Sequence, residues 1–399
     1  MIMLLWQESQ LNLLDTNRHM QSRILLSLAQ MGGSEQRYIQ EAFDTNWIVP
    51  LGPNVNGFEN DLKTFLGEEC NVVALSSGTA AIHLGLLQLG IGEGDEVICQ
   101  SFTFAASANP IKYLGATPIF VDSEEQTWNI SPKLLEKAII DRKAVTGKYP
   151  KAIIPVHLYG MPAKMDEICA ISEKYNIPIM EDAAEAIGST FKSRQCGTFG
   201  EFGALSFNGN KMITTSGGGA LICRTEEEAK QTMFLATQAR ENRPYYYHEQ
   251  IGYNYRMSNI CAGIGRGQME VLDHHIARRR AIHALYTALL TDCNGVSVKQ
   301  NPTEDFDSNF WLTCIEVDPS ACNGKTANDI RLNLESCNIE SRLLWRPMHM
   351  QPVFADCPYY GDGVSEHIFE RGLCLPSGSS LTDEQIAFVA EIIKKFISE

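Results

Sequence analysis

The chain has 399 residues, of which 44% are apolar and 20% charged, and its formal net charge is −15. This length is enough for a large buried core and predicts two domains. The acidic balance argues against non-specific nucleic-acid binding, which needs a basic face against phosphates, but a local pocket can still bind a small anion.

The cysteines and apolar runs indicate the compartment. Twelve cysteines occur without a C-x-x-C pair and without the His/Cys spacing of a zinc site, so we expect reduced thiols and no metal. No run reaches the length of a membrane span, and the start MIMLLW lacks the basic region of a secretory signal. We therefore expect a cytoplasmic protein with neither membrane nor nucleic acid as a partner.

Short apolar runs alternate with helical patterns between about residues 70 and 225. Because the runs lack polar alternation and helices separate them, they predict an α/β fold with a mostly parallel sheet covered on both faces. Ligands of such sheets bind at the carboxyl ends of the strands. A helix is predicted over about 164–175. The predicted strands are 71–75, 95–100, 117–122, 151–158, 177–182 and 203–207.

A long helical pattern covers about residues 258–290, and the sequence pattern changes in its second half. From about residue 276, short strand-like runs and a last helix predict a smaller α+β domain. That last helix opens with the capping box Thr382-x-x-Gln385. The predicted organisation is an atypical N-terminal extension over 1–19 with Met20 as an alternative start, a large domain over 20–275 and a small C-terminal domain over 276–399.

Polar residues follow the predicted strands at their carboxyl ends. Gly78 and Thr79 lie between the first strand and a helix, where free N–H groups and the helix dipole favour phosphate. Ordinary helix capping explains them equally well. Asp182 ends another strand and Glu185 follows it. A buried carboxylate is costly unless a cation or donor pairs with it, although acids at a helix start are also favoured by the dipole.

One lysine needs a partner at the same edge. Lys211 comes one crossover and one strand after Asp182, and Ser206 lies just before it. Phosphate donors, a buried acid and a strand-end amine together predict a site for pyridoxal 5′-phosphate (PLP), with Lys211 as the Schiff-base residue. Phe104 is a candidate to stack on its ring, or a plain core aromatic. The following Gly217–Gly219 lacks the order of a nucleotide loop and predicts a tight turn.

Six motifs carry a family resemblance: LSSGTAAIHL, SFTFAASANPI, PVHLYG, EDAAEAIGS, SFNGNK and GYNYRMS. From about residue 24 onward the chain resembles the sugar-nucleotide aminotransferases of PLP fold type I, often called the DegT/StrS group. The resemblance implies an aspartate-aminotransferase-like fold, PLP as cofactor, glutamate as the usual amino donor and a nucleotide-linked keto sugar as acceptor. It also implies homodimers with a shared active site.

The resemblance implies roles for individual residues. Lys211 resembles the lysine that holds PLP and acts as general base, and Asp182 resembles the partner of the pyridine nitrogen. Glu185 falls where the family often has Gln against the ring hydroxyl. The remaining implied contacts are Gly78, Thr79 and Ser206 at the phosphate, Phe104 on the ring, and Asn254 reaching the phosphate from the neighbouring subunit.

The resemblance also suggests a substrate. SFNGNK and ESRLLWRPMHMQPVF are similar to enzymes that aminate C4 of UDP-4-keto-6-deoxy-GlcNAc, a precursor of glycans or surface polysaccharides. A 3-keto or another dTDP- or GDP-linked sugar is the alternative, as is a non-catalytic PLP-fold binding protein. Arg342, Arg346 and His349 are candidates to bind the diphosphate or a carboxylate, or they solvate a loop. Residues 240–250 form a flap or an exposed loop, and the basic run 277–283 is predicted to be a solvated helix face.

Overall fold

The computed structural model describes residues 22–67 and 69–399, so the predicted extension over 1–19 lies outside the described residues. The helices are α1 (Glu35–Asp44), α2 (Pro53–Leu66), α3 (Gly78–Gln88), α4 (Asn109–Tyr113), α5 (Pro132–Thr146), α6 (Met165–Tyr175), α7 (Glu226–Ala236), α8 (Asn259–Met269), α9 (Leu272–Leu290), α10 (Ala327–Ser336), α11 (Val364–Arg371) and α12 (Asp383–Ser398). The strands are β1 (Asn71–Leu75), β2 (Glu96–Gln100), β3 (Thr117–Val121), β4 (Ala152–Ile154), β5 (Met180–Asp182), β6 (Thr190–Phe191), β7 (Arg194–Gln195), β8 (Phe202–Ser206), β9 (Gly219–Cys223), β10 (Val296–Val298), β11 (Phe306–Asp307), β12 (Thr313–Val317), β13 (Arg342–Leu343), β14 (Tyr359–Tyr360) and β15 (Gly372–Leu375).

The main sheet joins two four-stranded ladders. One has the order β1-β9-β8-β5 and the other the order β14-β3-β2-β4, and parallel bridges from Ile153 to Ile179 and from Val156 to Asp182 connect them. Among the described strands of this sheet, β9 alone runs antiparallel to its neighbours. The predicted mostly parallel sheet is therefore confirmed.

Helices cover both faces of this sheet, as uninterrupted apolar strands require. Neighbouring residues of β2 show this, because Val97 packs into one buried cluster and Ile98 into another. The polar carboxyl ends of β1, β5 and β8 are left together at one edge.

A second sheet lies in the C-terminal part, with the antiparallel order β10-β12-β15-β13. It has its own apolar core, in which Tyr286 of α9, Ile315 of β12 and Ile393 of α12 are fully buried. The capping box of α12 is present: Gln385 N–H donates to Thr382 Oγ1 at 3.2 Å, and Thr382 N–H donates to Gln385 Oε1 at 3.0 Å. The domain boundary near residue 276 stays a prediction, since β14 belongs to the main sheet.

Two helical predictions need correction. The pattern over 258–290 is broken at Glu270 and Val271, because α8 packs on α1 and α2 whereas α9 packs on α12. The prediction of a solvated face over 277–283 is wrong for Arg279, Ile282 and His283, which are 1%, 0% and 4% exposed. Apolar residues spread around the helix cannot show which partners its two halves contact.

No helix within the ranges 22–67 and 69–399 is both long and apolar enough to cross a membrane.

Asp122, which follows β3, fastens the start of α11 to the main sheet. Its carboxylate accepts hydrogen bonds from the N–H groups of Asp362, Gly363, Val364 and Ser365 at 2.9–3.1 Å. Burial alone would raise the pKa of Asp122, but the hydrogen bonds from Ser365 and from backbone N–H groups outweigh it and lower the pKa. The ionised form therefore stabilises the fold.

We expect Asp122→Asn to lower the free energy of unfolding by about 1–3 kcal/mol at neutral pH. Because the folded pKa is lowered, this contribution is present above the ordinary value of 3.8 and is lost as the pH falls through the folded pKa. Urea unfolding of the wild type and of Asp122→Asn should therefore show a difference in the free energy of unfolding that becomes smaller in acid. A difference that stays constant from neutral to strongly acidic pH would contradict a stabilising role for the ionised carboxylate of Asp122.

Candidate active site

A cavity of about 390 Å³ lies at the carboxyl ends of β1, β5 and β8. A larger one, of about 660 Å³, is lined by Cys70, Arg194 and Arg224 and contains none of the predicted site residues. The structure brings seven predicted residues together in the smaller cavity: Gly78, Thr79, Phe104, Asp182, Glu185, Ser206 and Lys211.

The N-terminus of α3 forms one end of this cavity. Ser77 is the N-cap, and its side chain accepts a hydrogen bond from the N–H of Ala80 at 3.0 Å. Capping thus falls to Ser77, which leaves Gly78 and Thr79 available to a ligand. A side chain at Gly219 would collide with the backbone of Ser77 and Gly78, so glycine is required there for β9 to pass this close. The free N–H groups suit a phosphate.

Asp182 is 5% exposed and is held by two donors. Ser107 Oγ donates to Asp182 Oδ2 at 2.6 Å, and Ala184 N–H donates to Oδ1 at 3.1 Å. Ser107 also shares a 2.7 Å hydrogen bond with Thr103. Because the single hydroxyl proton of Ser107 is donated to Asp182, Thr103 is the donor to Ser107. Neither hydroxyl was predicted from the sequence, although both interrupt the otherwise apolar FTFAASA.

Lys211 pairs with Glu185 rather than with Asp182. Its Nζ lies 3.0 Å from Glu185 Oε1, and Tyr159 N–H donates to Glu185 Oε2 at 2.8 Å. Burial raises the pKa of Glu185, and the positive charge of Lys211 opposes that rise. Lys211 Nζ also lies 4.3 Å from the centre of the Trp311 ring. The amine is thus held in place by an acid and an aromatic face.

Two aromatic side chains form the mouth of the cavity. Phe104 is 56% exposed, and its ring centre lies 5.4 Å from that of Trp345. Trp345 lines the cavity, and its backbone N–H donates to the Tyr159 hydroxyl at 2.9 Å. Trp345 was missed because the predicted substrate contacts in its segment were the charged ones, and a tryptophan that follows Leu343 and Leu344 is also typical of a buried core.

The predicted substrate contacts Arg342, Arg346 and His349 do not line this cavity. Arg342 pairs with Glu340 at 2.9 Å and is 68% exposed, and Arg346 is also exposed. Both ring nitrogens of His349 are engaged, Nδ1 with Ser101 Oγ at 2.6 Å and Nε2 with Glu366 Oε1 at 2.7 Å. Their contacts with substrate stay predictions.

Asn254 and the loop 240–250 also lie outside the cavity. Asn254 is exposed and forms a β-bridge with Thr237. In the loop, Tyr245 and Tyr246 are 61% and 78% exposed. The contribution of Asn254 to a neighbouring subunit's site therefore stays a prediction.

The residues present fit PLP. Gly78 and Thr79 at the start of α3 suit its phosphate, the carboxylate of Asp182 suits its ring nitrogen, and the amine of Lys211 suits its aldehyde. All of these groups face a cavity of a size ordinary for small cofactors. This donor set suits PLP chemistry on a substrate amine.

Comparisons with known proteins agree with this chemistry. A model of the DegT/DnrJ/EryC1/StrS aminotransferase family matches residues 29–394. The protein named EpsN of Bacillus subtilis (strain 168) is 48% identical over 378 residues, covering 94% of this chain and 96% of that protein. A GDP-perosamine synthase of Escherichia coli O157:H7 is 37% identical over 370 residues, covering 92% and 96% respectively.

Solved structures show the same fold. The crystal structure of a DegT DnrJ EryC1 StrS aminotransferase from Brucella abortus matches with a TM-score of 0.84 and 29% identity, covering 92% of this chain and 96% of that one. The PLP-form of Spr1654 from Streptococcus pneumoniae matches with a TM-score of 0.84 and 25% identity, covering 94% of this chain and 99% of that one. The predicted α/β fold of PLP fold type I is confirmed.

Proposed function

Because the chain belongs to the DegT/DnrJ/EryC1/StrS aminotransferase family, we propose that it transfers an amino group from glutamate to a nucleotide-linked keto sugar. Family membership makes it a PLP-dependent sugar aminotransferase acting on nucleotide sugars, so the predicted enzyme class and cofactor are confirmed. The observation that carries the proposal is the placement of Lys211, Asp182 and the N-terminus of α3 around one cavity.

Each part of the cavity has a task. When bound, PLP supplies an aldehyde for the substrate amine and a ring that delocalises negative charge. The start of α3, with Gly78 and Thr79, binds its phosphate. Asp182 holds a negative charge against the ring nitrogen and keeps it protonated. Lys211 Nζ would hold the aldehyde and, as a free amine, would move a proton at the substrate carbon bearing nitrogen. Phe104 and Trp345 limit the access of water at the mouth.

We propose C4 of UDP-4-keto-6-deoxy-GlcNAc as the acceptor position. Support comes from SFNGNK, which bears Lys211, and from ESRLLWRPMHMQPVF, which bears Trp345 on the cavity wall. The second candidate is a GDP-linked keto sugar. It is favoured by the relatives named GDP-perosamine synthase, which are 31–37% identical to this chain.

We further propose a cytoplasmic homodimer in which Asn254 of one copy reaches the site of the other. Exposed apolar side chains support an interface, because large apolar groups in one region mark protein contacts. One such stretch contains Trp47, Ile48, Val49 and Leu51, and it lies beside the segment that follows Asn254, because the N–H of Asn259 donates to the carbonyl oxygen of Val49 at 3.0 Å. Ile251, three residues before Asn254, is also exposed.

A panel of keto sugars linked to UDP, dTDP or GDP, each assayed with glutamate, tests the proposal, and NMR of the product identifies the aminated carbon. We expect a UDP-linked 4-keto sugar to be aminated fastest, by an enzyme that elutes as a dimer. Faster turnover of the GDP-linked sugar would establish the second candidate. Turnover of simple oxo acids alone would overturn the sugar assignment, and a yellow protein that glutamate does not bleach would indicate a binding protein instead.

A further inference from the structure

Three consecutive arginines on α9 have different surroundings. Arg278 pairs with Asp383 of α12 at 2.7 Å, and Arg280 pairs with Asp307 of β11 at 2.9 Å. Arg279 between them is 1% exposed and points into the protein. Only the middle arginine is therefore removed from solvent.

Arg279 has no carboxylate partner within the described ranges 22–67 and 69–399. Its Nη2 donates to Ser27 Oγ at 2.9 Å and its Nη1 donates to the carbonyl oxygen of Trp311, while Nε has no hydrogen-bond partner. Burial lowers the pKa of Arg279 to about 9. A buried cation without a counter-ion is costly, so stability alone does not account for an arginine at this position.

The two residues that Arg279 hydrogen-bonds, Ser27 and Trp311, both donate to one backbone carbonyl oxygen. Ser27 Oγ donates to the carbonyl oxygen of Asn210 at 2.8 Å, and Trp311 Nε1 donates to the same oxygen at 2.7 Å. Asn210 directly precedes Lys211, and the Trp311 ring also contacts Lys211 Nζ. One guanidinium therefore fixes both donors that hold the turn bearing the lysine.

We propose that Arg279 is a positioning residue for the reaction and acts on Lys211 through Ser27 and Trp311. The inference rests on the proposed role of Lys211. The planar guanidinium presents two donors at a fixed spacing, which a lysine ammonium on a flexible stem does not reproduce. The fork geometry, and not the charge alone, sets the position of the amine.

The test compares Arg279→Lys with Arg278→Lys in the PLP-loaded enzyme. We expect Arg279→Lys to lower kcat by about 10–100-fold with KM for glutamate changed less than about twofold, since a displacement of about 1 Å costs up to about 10² in rate. The visible band of the cofactor bound to lysine should titrate at a different pH. Arg278→Lys should leave both unchanged. An Arg279→Lys enzyme with normal kcat and normal titration would overturn the inference.

Ser27→Ala is the second variant, because it removes one link while Arg279 stays in place. A smaller loss of kcat in the same direction supports the inference, and an unchanged kcat overturns it even if Arg279→Lys fails to fold. Borohydride treatment and peptide mapping of the wild-type enzyme separate the two proposals. If PLP is not fixed to Lys211, the assigned role of Lys211 fails; if it is fixed and the variants behave as wild type, only the role of Arg279 fails.

Discussion

Lys211→Ala is expected to bind PLP but to lose amino transfer by a factor of at least about 10²–10⁴, the usual contribution of a positioned acid–base group. The variant loses both the amine that holds the aldehyde and the base that moves the proton. The start of α3 and Asp182, which line the same cavity, are unchanged, so we expect cofactor binding to persist. Turnover with glutamate and the PLP content of the purified variant are the two measurements.

The fold should tolerate this change. Removing Lys211 leaves Glu185 buried without its cation. Burial raises the pKa of Glu185 and Lys211 opposes that rise, so the loss of Lys211 shifts the pKa further towards the neutral carboxyl group, which costs less to bury than an unpaired charge. Lys192→Ala is the matched control, because Lys192 is 51% exposed and pairs with Asp166 on the surface. Full activity of Lys211→Ala would remove this residue from the mechanism.

The sequence predicted those parts of the site that depend on local signals. Asp182 ends β5, and Gly78 and Lys211 come shortly after β1 and β8. The carboxyl ends of parallel strands meet at one edge of a sheet. The donor and acceptor properties of the start of α3, Asp182 and Lys211 then predicted that these groups bind one ligand. The cavity contains all three.

The supporting residues were not predictable, because their partners are remote in sequence. Ser107 meets Asp182 across 75 positions, and Trp311 meets Asn210 across 101. Asn309 donates to the carbonyl oxygens of Glu185 and Ile187 at 2.8 and 2.9 Å, again between distant segments. Neither the type of a residue nor the local periodicity around it indicates which distant residue it contacts. The burial of Arg279 within a basic run was not predictable for the same reason, because its partners Ser27 and Trp311 are distant in sequence.

Asp182→Asn is expected to keep its fold and its cofactor but to lower kcat by about 10–1000-fold. An adjacent opposite charge shifts a partner's pKa by about one to three units, and loss of that charge reduces the protonated fraction of the ring nitrogen at neutral pH by a matching factor. The amide is nearly isosteric and can still accept a hydrogen bond from Ser107 or Ala184. Asp166→Asn, at a half-exposed surface pair, is the control for removing a carboxylate.

Ser107→Ala is a milder test of the role of the Asp182 carboxylate. It keeps the charge of Asp182 but removes the 2.6 Å hydrogen bond to Oδ2, a contact to a charged group worth about 1.5–3 kcal/mol. We expect about a tenfold loss of kcat, between wild type and Asp182→Asn. Near-normal turnover of Asp182→Asn would exclude its carboxylate from the reaction. A loss in Ser107→Ala larger than that in Asp182→Asn would mean that the position of the side chain matters more than its charge.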